Sequence, residues 1–122
     1  MIEPRDVDLE PAAIASLQQI LGIMTDHMWT PDYDGRWNIE HIVDLDDRLA
    51  MAAAEDGEIM LGIDDVALLL AGMAYTEMMS EEFPWIEAVR WVSDFVTLEL
   101  RRHWSDDEWR SHVGGAFGAS GG

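Results

Sequence analysis

The stretch DDVALLLAGMAYTEMM, residues 64–79, has a single charged side chain, Glu77, after its two opening aspartates. Apolar residues fall on nearly every side of the helix it predicts, so that helix is buried on several faces and other helices must surround it. Its apolar run, Val66 to Tyr75, is about half the length a membrane-spanning helix needs, which makes it a core helix. Asp64 and Asp65 suit its start, where side-chain acceptors and negative charge are both favoured.

On the N-terminal side, Glu58 to Ile63 is short, apolar and bracketed by Gly57 and Gly62; it reads equally as a small strand or a tight connection. Before it, Asn38 is an N-cap for a helix carrying Ile39, Ile42, Val43, Leu45 and Leu49, which Asp56-Gly57 ends. An earlier amphipathic helix spans about 11 to 28, opened by Pro11, with Ile14, Leu17, Leu21, Met24 and Met28 at spacings of three and four. The loop from Trp29 to Trp37 contains the turn pair Asp34-Gly35. The first ten residues are acidic and show no periodicity.

On the C-terminal side, Ser80 is read as the cap of a fourth helix with Glu81, Glu82 and Pro84 in its first turn. Apolar residues wrap most of that helix, and Glu87, Arg90, Asp94 and Arg101 form a narrow polar stripe. It is therefore expected to be central, with Trp85, Trp91 and Phe95 in the core. Ser105-Asp106-Asp107-Glu108 is a capping box, and Gly114-Gly115 stops a fifth helix over about 106–113. The reading is all-α: a compact bundle of about five helices with at most one very short hairpin. Residues 1–113 form one domain, as expected for a chain of 122 residues. Residues 114–122 form a flexible glycine-rich tail.

Composition excludes several functions. Seven basic residues, all arginine, face 25 acidic ones, a net charge of -18. Direct nucleic-acid binding and electrostatic attachment to an anionic membrane are thereby excluded. Without cysteine there is no disulfide, thiolate nucleophile or cysteine-bound zinc. The start of the chain lacks the basic and apolar regions of a signal peptide, so a cytoplasmic location is expected.

Residues 30–41 overlay a calcium-binding loop at Asp32, Asp34 and Gly35. Thr30 and His41 stand where the first aspartate and the bidentate glutamate belong, so an acidic turn is the better reading. His27, His41, His103 and His112 lack metal-site spacing and sit near helix ends. Neither a nucleophile elbow nor a phosphate-binding glycine pattern occurs. The expectation is a non-enzymatic protein with no cofactor, no metal and no catalytic residues.

Between Asp32 and Asp65 lie eleven acids against Arg36 and Arg48. On the second helix Glu40, Asp44 and Asp47 share a face, where like charges repel and cost stability. This density points to a surface that binds a basic protein, in its sharpest form by mimicking nucleic acid to occupy a nucleic-acid-binding site. The expected contact residues are Asp32, Asp34, Glu40, Asp44, Asp47, Asp56 and Glu58, with Trp29, Tyr33 and Trp37 as apolar anchors. Size, acidity and the lack of a catalytic motif are similar in style to small inhibitors from phages and mobile elements, without a shared motif. The alternative is an oligomerising structural or assembly subunit, with helices three and four packed against copies of itself. Its acidity then serves solubility or a high-salt habit, as absent lysine also suggests.

Overall fold

A computed structural model of the chain describes residues 4–31 and 37–112. Helices α1 (Pro11–Met28), α2 (Ile39–Ala54), α3 (Ile63–Ser80), α4 (Ile86–Arg101) and α5 (Asp106–His112) are joined by strands β1 (Arg5–Asp8) and β2 (Glu58–Leu61). Helix α1 packs against α2 and α3, and α3 packs against α4. The core is made by Ile14, Leu17, Leu21 and Met24 of α1, Ile42, Leu45 and Leu49 of α2, and Val66, Leu69 and Met73 of α3. Helices α1 and α3 approach closely at Gly72, where a Cβ would collide with the Met24 sulfur and Ile20.

Local chemistry explains the helix ends. Pro11 sits in the first turn of α1, where its missing N–H costs nothing. The Asn38 side chain accepts from Glu40 N at 2.8 Å and His41 N at 3.4 Å. At α5 the capping box forms reciprocally, with Ser105 N donating to Glu108 Oε1 at 2.9 Å and Glu108 N donating to Ser105 Oγ at 3.1 Å. At α3 the cap residue is Gly62, and the Asp65 carboxylate reaches back to its N–H at 2.9 Å.

The segment 58–63, open between strand and connection, holds a strand. Its partner is the N-terminal segment read as aperiodic, in an antiparallel register of Arg5 with Leu61, Asp6 with Met60, Val7 with Ile59 and Asp8 with Glu58. The ladder thus joins residues about fifty positions apart and encloses α1 and α2. Val7, Ile59 and Leu61 point inward and are buried, while Asp6, Asp8, Glu58 and Met60 point outward. Gly57 makes the reversal before β2 at a φ of 86°, and its carbonyl accepts from Leu9 N at 2.9 Å. A side chain there would also overlap the Leu9 carbonyl oxygen.

Helix α4 is not central. Only Val96 and Leu100 of its sixteen residues are buried. Trp85 and Trp91, expected in the core, are 53% and 60% exposed, and Phe95 is half-buried. Helix α3 already has α1 on one side, so α4 needs only one face to cover it, and its other apolar side chains are left outside. Ser80 is the last residue of α3 and does not cap α4; its buried hydroxyl accepts from the Trp85 indole N–H at 3.1 Å. The turn Asp34-Gly35 and the glycine-rich tail lie outside the described residues.

Candidate acidic interface

The strand pairing assembles a charge cluster from three places in the chain. Asp8 and Glu58 stand directly opposite each other on the outer face of the sheet, with Asp6 one diagonal away. Glu55 and Asp56 occupy the turn that feeds β2. None of these five carboxylates has an ion pair among the described residues. Repulsion from Asp56 first, then from Asp8, Asp6 and Glu55 together with slight desolvation, raises the Glu58 carboxyl above its usual value. A fully solvated side chain shifts in this way only where the surrounding negative field is dense.

A second group of acids lies along the outer face of α2, where Glu40, Asp44 and Asp47 are all exposed. They are not equivalent. Asp44 accepts from Arg48 at 2.9 Å, whereas Glu40 and Asp47 have no ion pair among the described residues. Arg48 does more than shield its neighbours. Its guanidinium donates to the Met60 carbonyl on β2 at 2.9 Å and bidentately to Asp65 on α3 at 2.8 and 3.0 Å. His41 Nε2 completes the set, 2.6 Å from Asp65 Oδ1. Burial on its own would push the Asp65 carboxyl up. Hydrogen bonds from Arg48, the Gly62 amide and His41 outweigh it and hold the group below its usual value. The hydrogen bond to Asp65 likewise raises the already high Arg48 value. Arg48 is thus the pin that joins α2, β2 and α3, and it places the α2 acids beside the edge of the acidic sheet.

Of the expected contact residues, Asp56 and Glu58 fall in the strand cluster, and Glu40, Asp44 and Asp47 fall on the α2 face. Asp32, Tyr33 and Asp34, together with the calcium-like part of the loop, lie outside the described residues. Trp29 follows α1 as its C-cap and is 86% exposed. Trp37 is corrected: it is 7% exposed, with its ring against those of His27 at 5.6 Å and Tyr75 at 5.3 Å. A position beside a loop suggests an aromatic open to a partner, but His27 at the end of α1 and Tyr75 of α3 enclose this one. The strand cluster also holds Asp6, Asp8 and Glu55, which are not among the expected contact residues. The signal for the first two was present in Arg5-Asp6-Val7-Asp8-Leu9, where polar and apolar residues alternate with the period of a strand.

Other chemistry is sparse. No three His, Asp or Glu side chains among the described residues are placed to hold a metal ion. No helix among them is long and apolar enough to cross a membrane. A groove of about 400 Å³ opens between α1, α3 and the start of α4, lined by Ile20, Ile23, Thr76, Trp85, Val89 and Val92. Its walls offer no carboxylate, histidine or arginine for catalysis. The chain matches no protein-family model, no curated protein and no solved structure.

Proposed function

We propose that the protein is a non-catalytic docking domain whose acidic face occupies an arginine- or lysine-rich surface of a partner protein. In the sharpest form of this reading the partner's surface is a nucleic-acid-binding site and the domain competes there with phosphates. The observation that carries it is the unpaired cluster of Asp6, Asp8, Glu55, Asp56 and Glu58, dense enough to raise Glu58 while it is fully exposed. Such crowding costs folding stability, and a cationic partner would relieve it. The α2 acids extend the same face past Arg48, and Trp29 offers an apolar contact.

The test is capture of partners from nuclease-treated lysate, followed by affinity measurements across a salt series. Binding should weaken steeply between about 0.05 and about 0.5 M salt, because counterions screen exposed charges. Reversing Asp56 and Glu58 to lysine should weaken it further. A captured partner whose affinity is indifferent to salt refutes the electrostatic reading. The competing reading, assembly through helices three and four, is favoured by a separate observation, the exposed apolar side of α4.

A further inference from the structure

The docked side of α4 is carried by Val96 and Leu100. At 100° per residue, the opposite side carries Trp91, Phe95 and Leu98 in an i, i+4, i+7 row. Trp91 and Leu98 are 60% and 61% exposed, and the Trp91 and Phe95 rings stack within 9° of parallel at 5.3 Å. Trp91 and Leu98, with the half-buried Phe95 between them, thus present an apolar strip along the middle of the helix. Contiguous exposed apolar surface of this kind marks a contact site.

Charge identifies its occupant. Residues 86–112 carry six acids (Glu87, Asp94, Glu99, Asp106, Asp107 and Glu108) against Arg90, Arg101, Arg102 and Arg110. Their net charge is -2, which leaves -16 on the rest of the chain. Two copies can approach here with little repulsion. The row is also self-complementary. Antiparallel pairing that sets Trp91 opposite Leu98 of a second copy also sets Glu87 opposite its Arg102, since both pairs share a midpoint between Asp94 and Phe95. Phe95 then meets its own counterpart near the centre.

We infer that α4 is a homodimerisation helix that pairs antiparallel with α4 of a second copy through Trp91, Phe95 and Leu98, with Glu87 of one copy reaching Arg102 of the other, a guanidinium that also contacts Glu99 of its own chain at 3.2 Å. This stands independently of the acidic docking face. A face about 24 Å long and about 10 Å wide covers about 240 Å² of each copy in projection, below the size of a stable interface, so the pairing is a weak and reversible one.

Sedimentation equilibrium and light scattering on the full chain test it. At about 1 mM the mean mass should rise toward twice 13.8 kDa. Trp91→Glu and Leu98→Glu should each give a monomer with an unchanged circular dichroism spectrum, because both side chains are exposed. Glu87→Arg should weaken the dimer about tenfold, and adding Arg102→Glu should restore it. Asp94→Asn should tighten it, since the two Asp94 side chains meet near the midpoint. The dimer should also tighten as salt rises, because screening reduces the repulsion between copies. That is opposite in sign to the salt effect on acidic docking, so the two ideas fail separately. A monomer at this concentration, or a dimer unaffected by Trp91→Glu, overturns the inference. A Glu87→Arg defect that Arg102→Glu does not repair overturns the antiparallel register.

Discussion

Replacing Asp65 by asparagine should remove more stability than almost any other isosteric polar change in this chain. The side chain is 12% exposed and takes four hydrogen bonds: two from Arg48, one from His41 and one from the Gly62 amide. Asparagine keeps the shape but has one acceptor oxygen, and it turns an NH₂ toward groups that are themselves donors. Each charge-assisted bond lost in a buried site costs about 1.5–3 kcal/mol. Arg48 is 31% exposed and retains Asp44 and Met60, so part of that loss is recovered through water and those partners. The net is about 2–3 kcal/mol, read by urea denaturation followed by circular dichroism, with Asp64→Asn, on the exposed neighbour, as a near-neutral control.

The pH dependence provides a second check. The folded carboxyl of Asp65 lies below its ordinary value of 3.8. Its stabilisation is therefore complete above about pH 5 and is lost as pH falls through the lowered folded value. The gap between wild type and Asp65→Asn should narrow as pH falls below about pH 4. A variant within about 0.5 kcal/mol of wild type at neutral pH would show that the pin joining α2, β2 and α3 is dispensable.

Three further outcomes follow from the same geometry. Glu58→Gln should raise the thermal midpoint at low ionic strength, with the gain shrinking as salt is added, because neighbouring carboxylates disfavour the charged form; a loss of stability would contradict the cluster. Gly57→Ala should destabilise by more than about 1 kcal/mol in the same urea assay, given the positive φ and the overlap with Leu9. Glu108 is held at about 2 by hydrogen bonds from Arg5 and from Ser105. A carboxyl-detected NMR titration should place it there, and Arg5→Ala should move it up toward the normal glutamate range.

Most helices were legible because their start and stop signals are local. Asn38, the Ser105 capping box and Pro11 each act within four residues, so the ends they set can be read from adjacent letters. Strand β1 was not legible in the same way. Its four residues bury one side chain, Val7, and it exists as a strand because Glu58–Leu61 lies alongside, about fifty residues away. The acidic face was therefore half visible: the density after Asp32 could be counted, but the arrival of Asp6 and Asp8 beside Glu58 depended on that pairing. Helix α4 misled for another reason. Periodicity reports that Trp85, Trp91 and Leu98 are apolar, and an apolar side awaiting a partner has the same letters as one already packed. Trp37 differs in the opposite direction, because its cover comes from His27 on α1 and Tyr75 on α3.

The pairing of β1 with β2 also sets an order of events during synthesis. Val7 and Leu9 leave the ribosome before anything exists to cover them. At about 5–20 residues per second, the fifty residues that separate β1 from β2 take about 3–10 s to make. The groups that fix Arg5, the His103 carbonyl and Glu108, arrive later still. During that interval α1 and α2 can form their own hairpin, but the first strand has no ladder to join. Strand β1, made before α1, α2 and β2, is thus held in place only after them, and the acidic cluster comes into being only at that late step.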